Sequence, residues 1–326
     1  MSTEPKTLQQ AIVYFSDPDN CLKFIIARRW PNGVICPTCG SAEVRHISTR
    51  RMWECKHKHV RKQFSVKVGT IFEDSPVGLD KWLTAMWMIA NCKNGVSSYE
   101  VARAIGVTQK SAWFMMHRIR LAMQSGSFMK LGGSGKIVEV DETFIGGLSR
   151  NMHKQVRERK IRGTGGRDKT PVVGFLERGG KIHTMVPANR RRSTLHGEIK
   201  KNVGIGSIVC TDAFPSYEKM AEDYAHKVID HAVAYADGIV HTNGMENYWS
   251  LLKRGIKGTY VSVEPFHLFR YLDEQAFRFN NRGNKEVPIN DGQRFDSVLS
   301  HILGKRLTYA EVTGKVGATD SNSFAS

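Results

Sequence analysis

The sequence predicts a mixed α/β domain preceded by a small cysteine-bearing ribbon and a helical helix-turn-helix region. Three observations predict it. Beyond residue 136, short apolar runs alternate with helical patterns, as a sheet flanked by helices requires. Upstream, Cys36, Cys39 and Cys55 lie in a stretch rich in Arg, Lys and His. Between the two, residues from Leu79 to Gln124 repeat at helical spacing, with Trp82, Met86, Trp87 and Met88 read as core.

A chain of 326 residues accommodates two domains, or one with appendages. Its 48 basic residues against 31 acidic give a formal charge of +17, spread from Arg28 to Arg282. Such an excess favours a polyanionic partner, because each neutralised phosphate releases condensed counterions. The start of the chain is polar, its six cysteines form no dense framework, and its longest apolar stretch is too short for a bilayer. A cytoplasmic, nucleoid-associated protein of a bacterium, with no membrane partner, is the expectation. The expected segments are an N-terminal helical stretch (1–33), a zinc-ribbon-like DNA-binding module (34–75), a helix-turn-helix region (76–124), a flexible linker (125–136), the α/β domain (137–290) and a C-terminal extension and tail (291–326).

Each element has its own signal. Leu8 to Trp30 reads as helical and ends at the turn Pro31–Asn32–Gly33. Cys36-Pro-Thr-Cys39 lets one tight turn place two thiolates on a tetrahedral metal, and Cys55 adds a third from the facing hairpin. For the fourth ligand His57 and His46 are alternatives, and the spacing Cys55-x-x-x-His59 favours His59. A redox Cys-x-x-Cys pair would need a thioredoxin-like context, which is absent. Structural Zn²⁺ is therefore expected.

Ser97 or Ser98 caps a short helix with Val101 and Ile105 inward; Gly106 permits a turn; Thr108 caps a second helix from Gln109. Trp113, Met116 and Ile119 would pack this unit. Gln109, Lys110, Ser111 and His117 are expected on or near a face that enters a major groove.

Three carboxylates then stand out. Ile137-Val-Glu-Val-Asp141 is a strand with Ile137, Glu139 and Asp141 on one face, Asp141 lying where the strand leaves the apolar layer. A hairpin over Thr170–Val186, turning at Arg178–Gly179–Gly180, and a helix over 191–200 follow. Ser207–Asp212 is a short buried strand with Asp212 at its C-terminal end, where open α/β sheets carry their chemistry. In the next helix Met245, Trp249 and Leu252 form the apolar face, and Glu246, Ser250 and Lys253 share a polar one. Strand, strand and helix together deliver the acids that hold two divalent metals against a phosphodiester.

These residues resemble the DDE-type transposases of bacterial insertion sequences, in the group with a zinc ribbon before a ribonuclease-H-like (retroviral-integrase-like) domain. The resemblance runs from about Leu8 to Arg282. It is densest at 64–75, 91–100, 108–115, ValAspGluThrPheIleGlyGly (140–147) and HisThrAsnGlyMetGluAsnTyrTrpSerLeuLeuLysArg (241–254). It implies a ribonuclease-H-like mixed sheet and Mg²⁺ (or Mn²⁺) on Asp141, Asp212 and a third residue from the Glu246–Asn247 pair. Glu246 is assigned because Lys253 then stands at a Glu-x6-Lys spacing, with Asn247 as the alternative. Lys253 joins the catalytic set, and Lys253 and Arg254 meet DNA. The implied activity is metal-dependent strand cleavage at transposon ends followed by transfer of the 3′-hydroxyl. Its partners would be double-stranded terminal inverted repeats and target DNA, with a homodimer or higher oligomer assembled on them. A non-enzymatic zinc-ribbon and helix-turn-helix regulator is the competing expectation.

Overall fold

Thr7 caps α1 (Leu8–Phe15) by accepting from the Gln10 N–H, and Asp17 caps α2 (Pro18–Arg29) by accepting from the Asp19 N–H. The helical stretch read over Leu8 to Trp30 thus consists of two helices. Pro18 brings no N–H, so it suits the first position of a new helix and breaks the old one. The computed structural model describes residues 4–124, 129–146, 153–160, 169–212, 224–229 and 241–315. The chain divides into two units, residues 1–124 with 283–326 and residues 125–282.

The first unit opens with α1 and α2 and continues into an antiparallel ribbon of β1 (Val44–Ile47), β2 (Met52–Cys55) and β3 (Gln63–Phe64). Trp53 and Phe64 stack across β2 and β3 at 6.2 Å, giving this small sheet one apolar face. Three helices follow: α3 (Leu79–Asn91), α4 (Ser98–Ile105) and α5 (Gln109–Met123). Ser97 and Glu100 form a reciprocal capping box on α4. Gly106 ends that helix at φ 63°, which an L side chain rarely adopts, and Thr108 caps α5. Val101, Ile105, Met116 and Ile119 are buried, while Trp113 is half-buried.

The second unit is a five-stranded mixed sheet with helices on both faces, the α/β class the sequence predicts. After β4 (Leu131–Gly132) come β5 (Ile137–Ile145), α6 (Lys154–Lys160), β6 (Thr170–Glu177), β7 (Ile182–Met185), α7 (Arg192–Asn202), β8 (Val203–Gly204), β9 (Ile208–Asp212), β10 (Ala225–Ile229), α8 (Asn243–Gly255) and α9 (Leu268–Asn280). The sheet order is β10-β9-β5-β6-β7; β5, β6 and β7 are antiparallel neighbours, and β9 and β10 extend the sheet in parallel. Strand alternation divides the core. Val138, Val140, Val173 and Phe175 pack with Leu195 and Ile199 of α7. Val172 and Leu176 pack with Met245, Tyr248 and Trp249 of α8 and Leu272 of α9. The chain then returns to the first unit with α10 (Asp291–Leu299) and α11 (Tyr309–Val312).

Part of the expected flexible linker is built structure. Residues 125–128 lie outside the described residues, but Leu131–Gly132 pairs in parallel with Val203–Gly204, and Leu131 joins the α7-side core. The Gly and Ser content there serves a turn closed by the Lys136 N–H on the Gly133 carbonyl. Of the C-terminal extension and tail expected over 291–326, residues 291–315 are described.

Candidate active site and metal centre

β5 does not leave the apolar layer at Asp141; it continues to Ile145, so Asp141 sits in mid-strand. Alternation turns it away from Val138 and Val140 and toward α8. Its partner on β6 is Gly174, and that glycine is a requirement. A Cβ there would come within 2.2 Å of Met245 Cε and 2.8 Å of the Trp249 ring. The close approach lets Trp249 reach the strand, where its indole N–H donates to Asp141 Oδ2 at 2.9 Å. The Glu142 N–H donates to Oδ1 at 2.7 Å. Both carboxylate oxygens are therefore oriented.

Asp212 ends β9, parallel to β5 with Glu139 opposite Cys210. The pairing of the two strands ends there, two residues short of Asp141 and Asp212. Glu246 stands in the first turn of α8, exposed, with Ser250 and Lys253 on the same side; Asn247 is exposed as well. A cleft of about 500 Å³ is lined by Asp141, Glu142, Glu246, Trp249, Ser250 and Lys253. Arg254 is exposed beside it in sequence. Burial pushes the Asp141 carboxyl up to about 6; the Glu142 and Trp249 donors oppose this, and the charges of Asp212 and Glu246 add to it. Asp141 therefore feels both other acids, although Asp212 is not among the residues that line the cleft and the three carboxylates are not drawn together as closely as the cysteines and histidine of the ribbon. Carboxylate oxygens of this kind are the donors Mg²⁺ or Mn²⁺ takes.

A buried network lies behind the site. Glu139 is 1% exposed, pairs with Arg178 at 2.9 Å and accepts the Met245 N–H at 3.0 Å. It thus places a negative charge on the N-terminal turn of α8, where the helix dipole favours one. Arg178 also donates to the carbonyl of His241 at 3.1 Å. At the cleft rim Glu142 is paired with Arg190 at 2.6 Å. Sequence reasoning placed Trp249 only as apolar packing, Glu139 only on the face of Asp141 and Arg178 only in the hairpin turn, and gave Glu142 and Arg190 no role. Periodicity reports the face a side chain takes, not the polar atom it carries to the end of that face.

In the ribbon, Cys36, Cys39, Cys55 and His59 present ligand atoms all within 4.8 Å of one another. Cys36 Sγ lies 3.4 Å from His59 Nε2, and Cys39 Sγ lies 3.6 Å from Cys55 Sγ. These are the edges of a tetrahedron with metal–ligand bonds of about 2.0–2.3 Å, so the residues fit zinc. Burial alone would raise the Cys36 thiol, but the Cys39 and Thr38 N–H groups and the neighbouring thiols draw it down to about 7, toward the thiolate a metal needs. His46, the weaker alternative, packs on Trp53 instead.

The helix-turn-helix residues part company. Lys110 is exposed, its ammonium 4.7 Å from the Tyr309 ring. Gln109 is half-buried and donates to Ser98 Oγ, and the Ser111 hydroxyl bonds that of Thr108. His117 is not on an exposed face: it is 1% exposed, edge-on to Trp113 at 4.5 Å. From Met115 to Arg120 every residue of α5 is buried. That half of the helix is interior, and only its first turns reach the surface.

Comparison with known proteins agrees with this architecture. Residues 130–280 match the ISXO2-like transposase domain, and residues 16–59 match the transposase zinc-ribbon domain. An uncharacterised protein of the transposable element ISH50 of Halobacterium salinarum is 28% identical over 243 residues, 69% of this chain and 79% of that protein. An uncharacterised transposase-like protein of Haemophilus influenzae is 33% identical over 102 residues, 31% of this chain and 82% of that protein. No solved structure matches. Among the described residues no helix is long and apolar enough to cross a membrane.

Proposed function

We propose that this chain, which belongs to the transposases that set a zinc ribbon before an ISXO2-like transposase domain, cleaves DNA at the ends of its insertion sequence and joins the freed 3′-hydroxyl to target DNA. What supports the reading is the cleft lined by Asp141, Glu246 and Lys253, together with the charges of Asp212, at the end of the strand parallel to β5, and of Glu246, which both act on Asp141. Magnesium or manganese held by those three acids would supply Lewis acidity for in-line displacement at phosphorus. The Trp249 indole and the Glu142 N–H hold the Asp141 carboxylate in one orientation, so its lone pairs are aimed before DNA arrives. Lys253 meets a non-bridging phosphate oxygen, and Arg254 the next phosphate along. Lys110, with Gln109 and Ser111 at the start of α5, contacts DNA from the other unit. Cys36, Cys39, Cys55 and His59 hold the zinc that stabilises the ribbon. Double-stranded insertion-sequence ends and target DNA are the partners, and two ends call for at least a dimer.

Purified protein, Mg²⁺, a labelled duplex made from the DNA flanking its own gene and a target plasmid test the reading. Wild type should give joined product and Asp212→Ala none, with end binding retained. Tight binding without cleavage by wild type, in both Mg²⁺ and Mn²⁺, would make the protein a regulator instead.

A further inference from the structure

Beyond α8 the helix widens into a π-turn over Ile256–Tyr260 and stops at Val261, with φ 62° and ψ −55°. The Ser262 N–H bonds the Tyr260 carbonyl at 2.6 Å, closing a three-residue γ-turn of the strained hand. A β-branched residue at positive φ is an outlier that only its surroundings can hold. Two anchors hold it. On one side the Tyr260 hydroxyl donates to the fully buried Glu274 carboxylate, which also takes the Arg278 guanidinium, and the Tyr260 ring lies edge-on to Tyr271 at 4.7 Å. On the other, Val263 packs on the core shared by α8 and α9. Between the anchors the Val261 side chain is thrust outward and is 78% exposed.

The approach to this point is basic. Glu246, Ser250, Lys253 and Lys257 recur at steps of four, three and four along α8 and its continuation, and all four are exposed, as is Arg254. A phosphate backbone that enters the cleft at Lys253 is therefore met by Arg254 and Lys257 and led to Val261. At 1.5 Å per helical residue this path covers about 22 Å from Glu246 to Val261, or six to seven nucleotides at about 3.4 Å each. An apolar side chain held rigidly at the end of a cation row has the form of the wedges that part base steps in bent DNA.

We infer that Val261 is an apolar wedge that enters duplex DNA lying along α8 and unstacks a base step about six to seven base pairs from the phosphodiester at Asp141, Asp212 and Glu246. The inference rests on the proposed DNA-cleaving function. Pyrimidine–purine steps, the most easily unstacked, would be preferred at that position. The strain has a purpose on this account: a relaxed turn would let the side chain fold back onto the core, whereas the γ-turn presents it already ordered.

Val261→Gly is the discriminating variant, because glycine accepts the backbone angles while losing the wedge. The full chain is mixed with a duplex from the DNA flanking its own gene, carrying 2-aminopurine at successive positions about four to nine base pairs from the cut. Fluorescence is read in Ca²⁺ and cleavage in Mg²⁺. Wild type should brighten the probe at one position. Val261→Gly should abolish that signal, cut intact duplex about tenfold more slowly, regain wild-type rate on a duplex mismatched at that position, bind within threefold of wild type and melt no lower. An unchanged probe signal with unchanged cleavage overturns the inference. So does a change in sedimentation mass with the signal intact, which would make Val261 a contact between protein chains. If wild type binds and brightens the probe yet never cuts, the catalytic reading fails while the wedge stands.

Discussion

Asp141 holds its carboxyl near 6 because it is packed against the sheet, and the neighbouring charges of Asp212 and Glu246 push the same way. The ordinary value, 3.8, is the one it recovers on unfolding. Between those values the folded state holds the proton that the unfolded state has lost, so folding is penalised increasingly as pH rises. The penalty is absent below pH 4, complete above about pH 6, and at most roughly 3 kcal/mol. With divalent ions chelated, Asp141→Asn should therefore melt higher than wild type at pH 8, and the two should converge toward pH 4. Added Mg²⁺ should raise the melting temperature of wild type and leave the variant nearly unmoved. Equal melting of the two chelated proteins at pH 8 would show that Asp141 lacks this environment. At this scale the sequence is legible for residue type and blind to partners. The run from Ile137 predicts a strand ending in an acid, but nothing in the run says that an indole from α8 will bond it. His117 fails for the same reason: helical spacing allowed it a surface place, and the buried neighbours from Met115 to Arg120 denied it one.

The elements that build the candidate site meet through small residues and buried charge. α8 lies close enough to β6 to touch Gly174, and Glu139 secures its first turn. Gly174→Ala would drive a methyl into Met245 and Trp249, so α8 must lift from the sheet. A cost of about 1–3 kcal/mol is expected, and the Trp249 bond to Asp141 should lengthen with it. The expected result is a lower melting temperature together with a cleavage rate reduced by about tenfold or more at saturating DNA. Unchanged stability would mean that the helix sits farther out than described. Capped helices were readable at this scale, since Ser97, Gly106 and Thr108 each sit at the helix end that their chemistry favours. The break at Pro18 and the pairing of Leu131–Gly132 with Val203–Gly204 were not. The first is a short signal, Asp17 before Pro18 within the polar run Ser16–Asn20, set between two apolar helical patterns that read as one, and the second depends on a partner more than seventy positions away.

Across the whole chain, charge counted is not charge displayed. Arg118 donates to the carbonyls of Ile71, Glu73 and Leu307; Arg29 donates to those of Val66 and Val68, and Lys67 to those of Ser75 and Val77. These cations organise the first unit from within, so a formal +17 overstates what DNA can meet. The ribbon carries a second whole-chain consequence. Its three short strands have little core, so chelating zinc should expose residues 34–64 to rapid amide exchange while β5, β6 and α8 keep their protection. Loss of protection in both units together would mean that they unfold as one. The charge argument gives the sharper measurement, made by following duplex affinity between 50 and 200 mM salt. The slope of log affinity against log salt falls by about one for each phosphate contact removed. Lys110→Ala should therefore flatten the slope by about one with little change in melting temperature. Arg118→Ala should leave the slope where it was and cost roughly 3 kcal/mol of stability, because three carbonyls, one buried and two partly buried, lose a charged donor. A flattened slope for Arg118→Ala without destabilisation would return that arginine to the DNA-binding surface and overturn the division between structural and displayed charge.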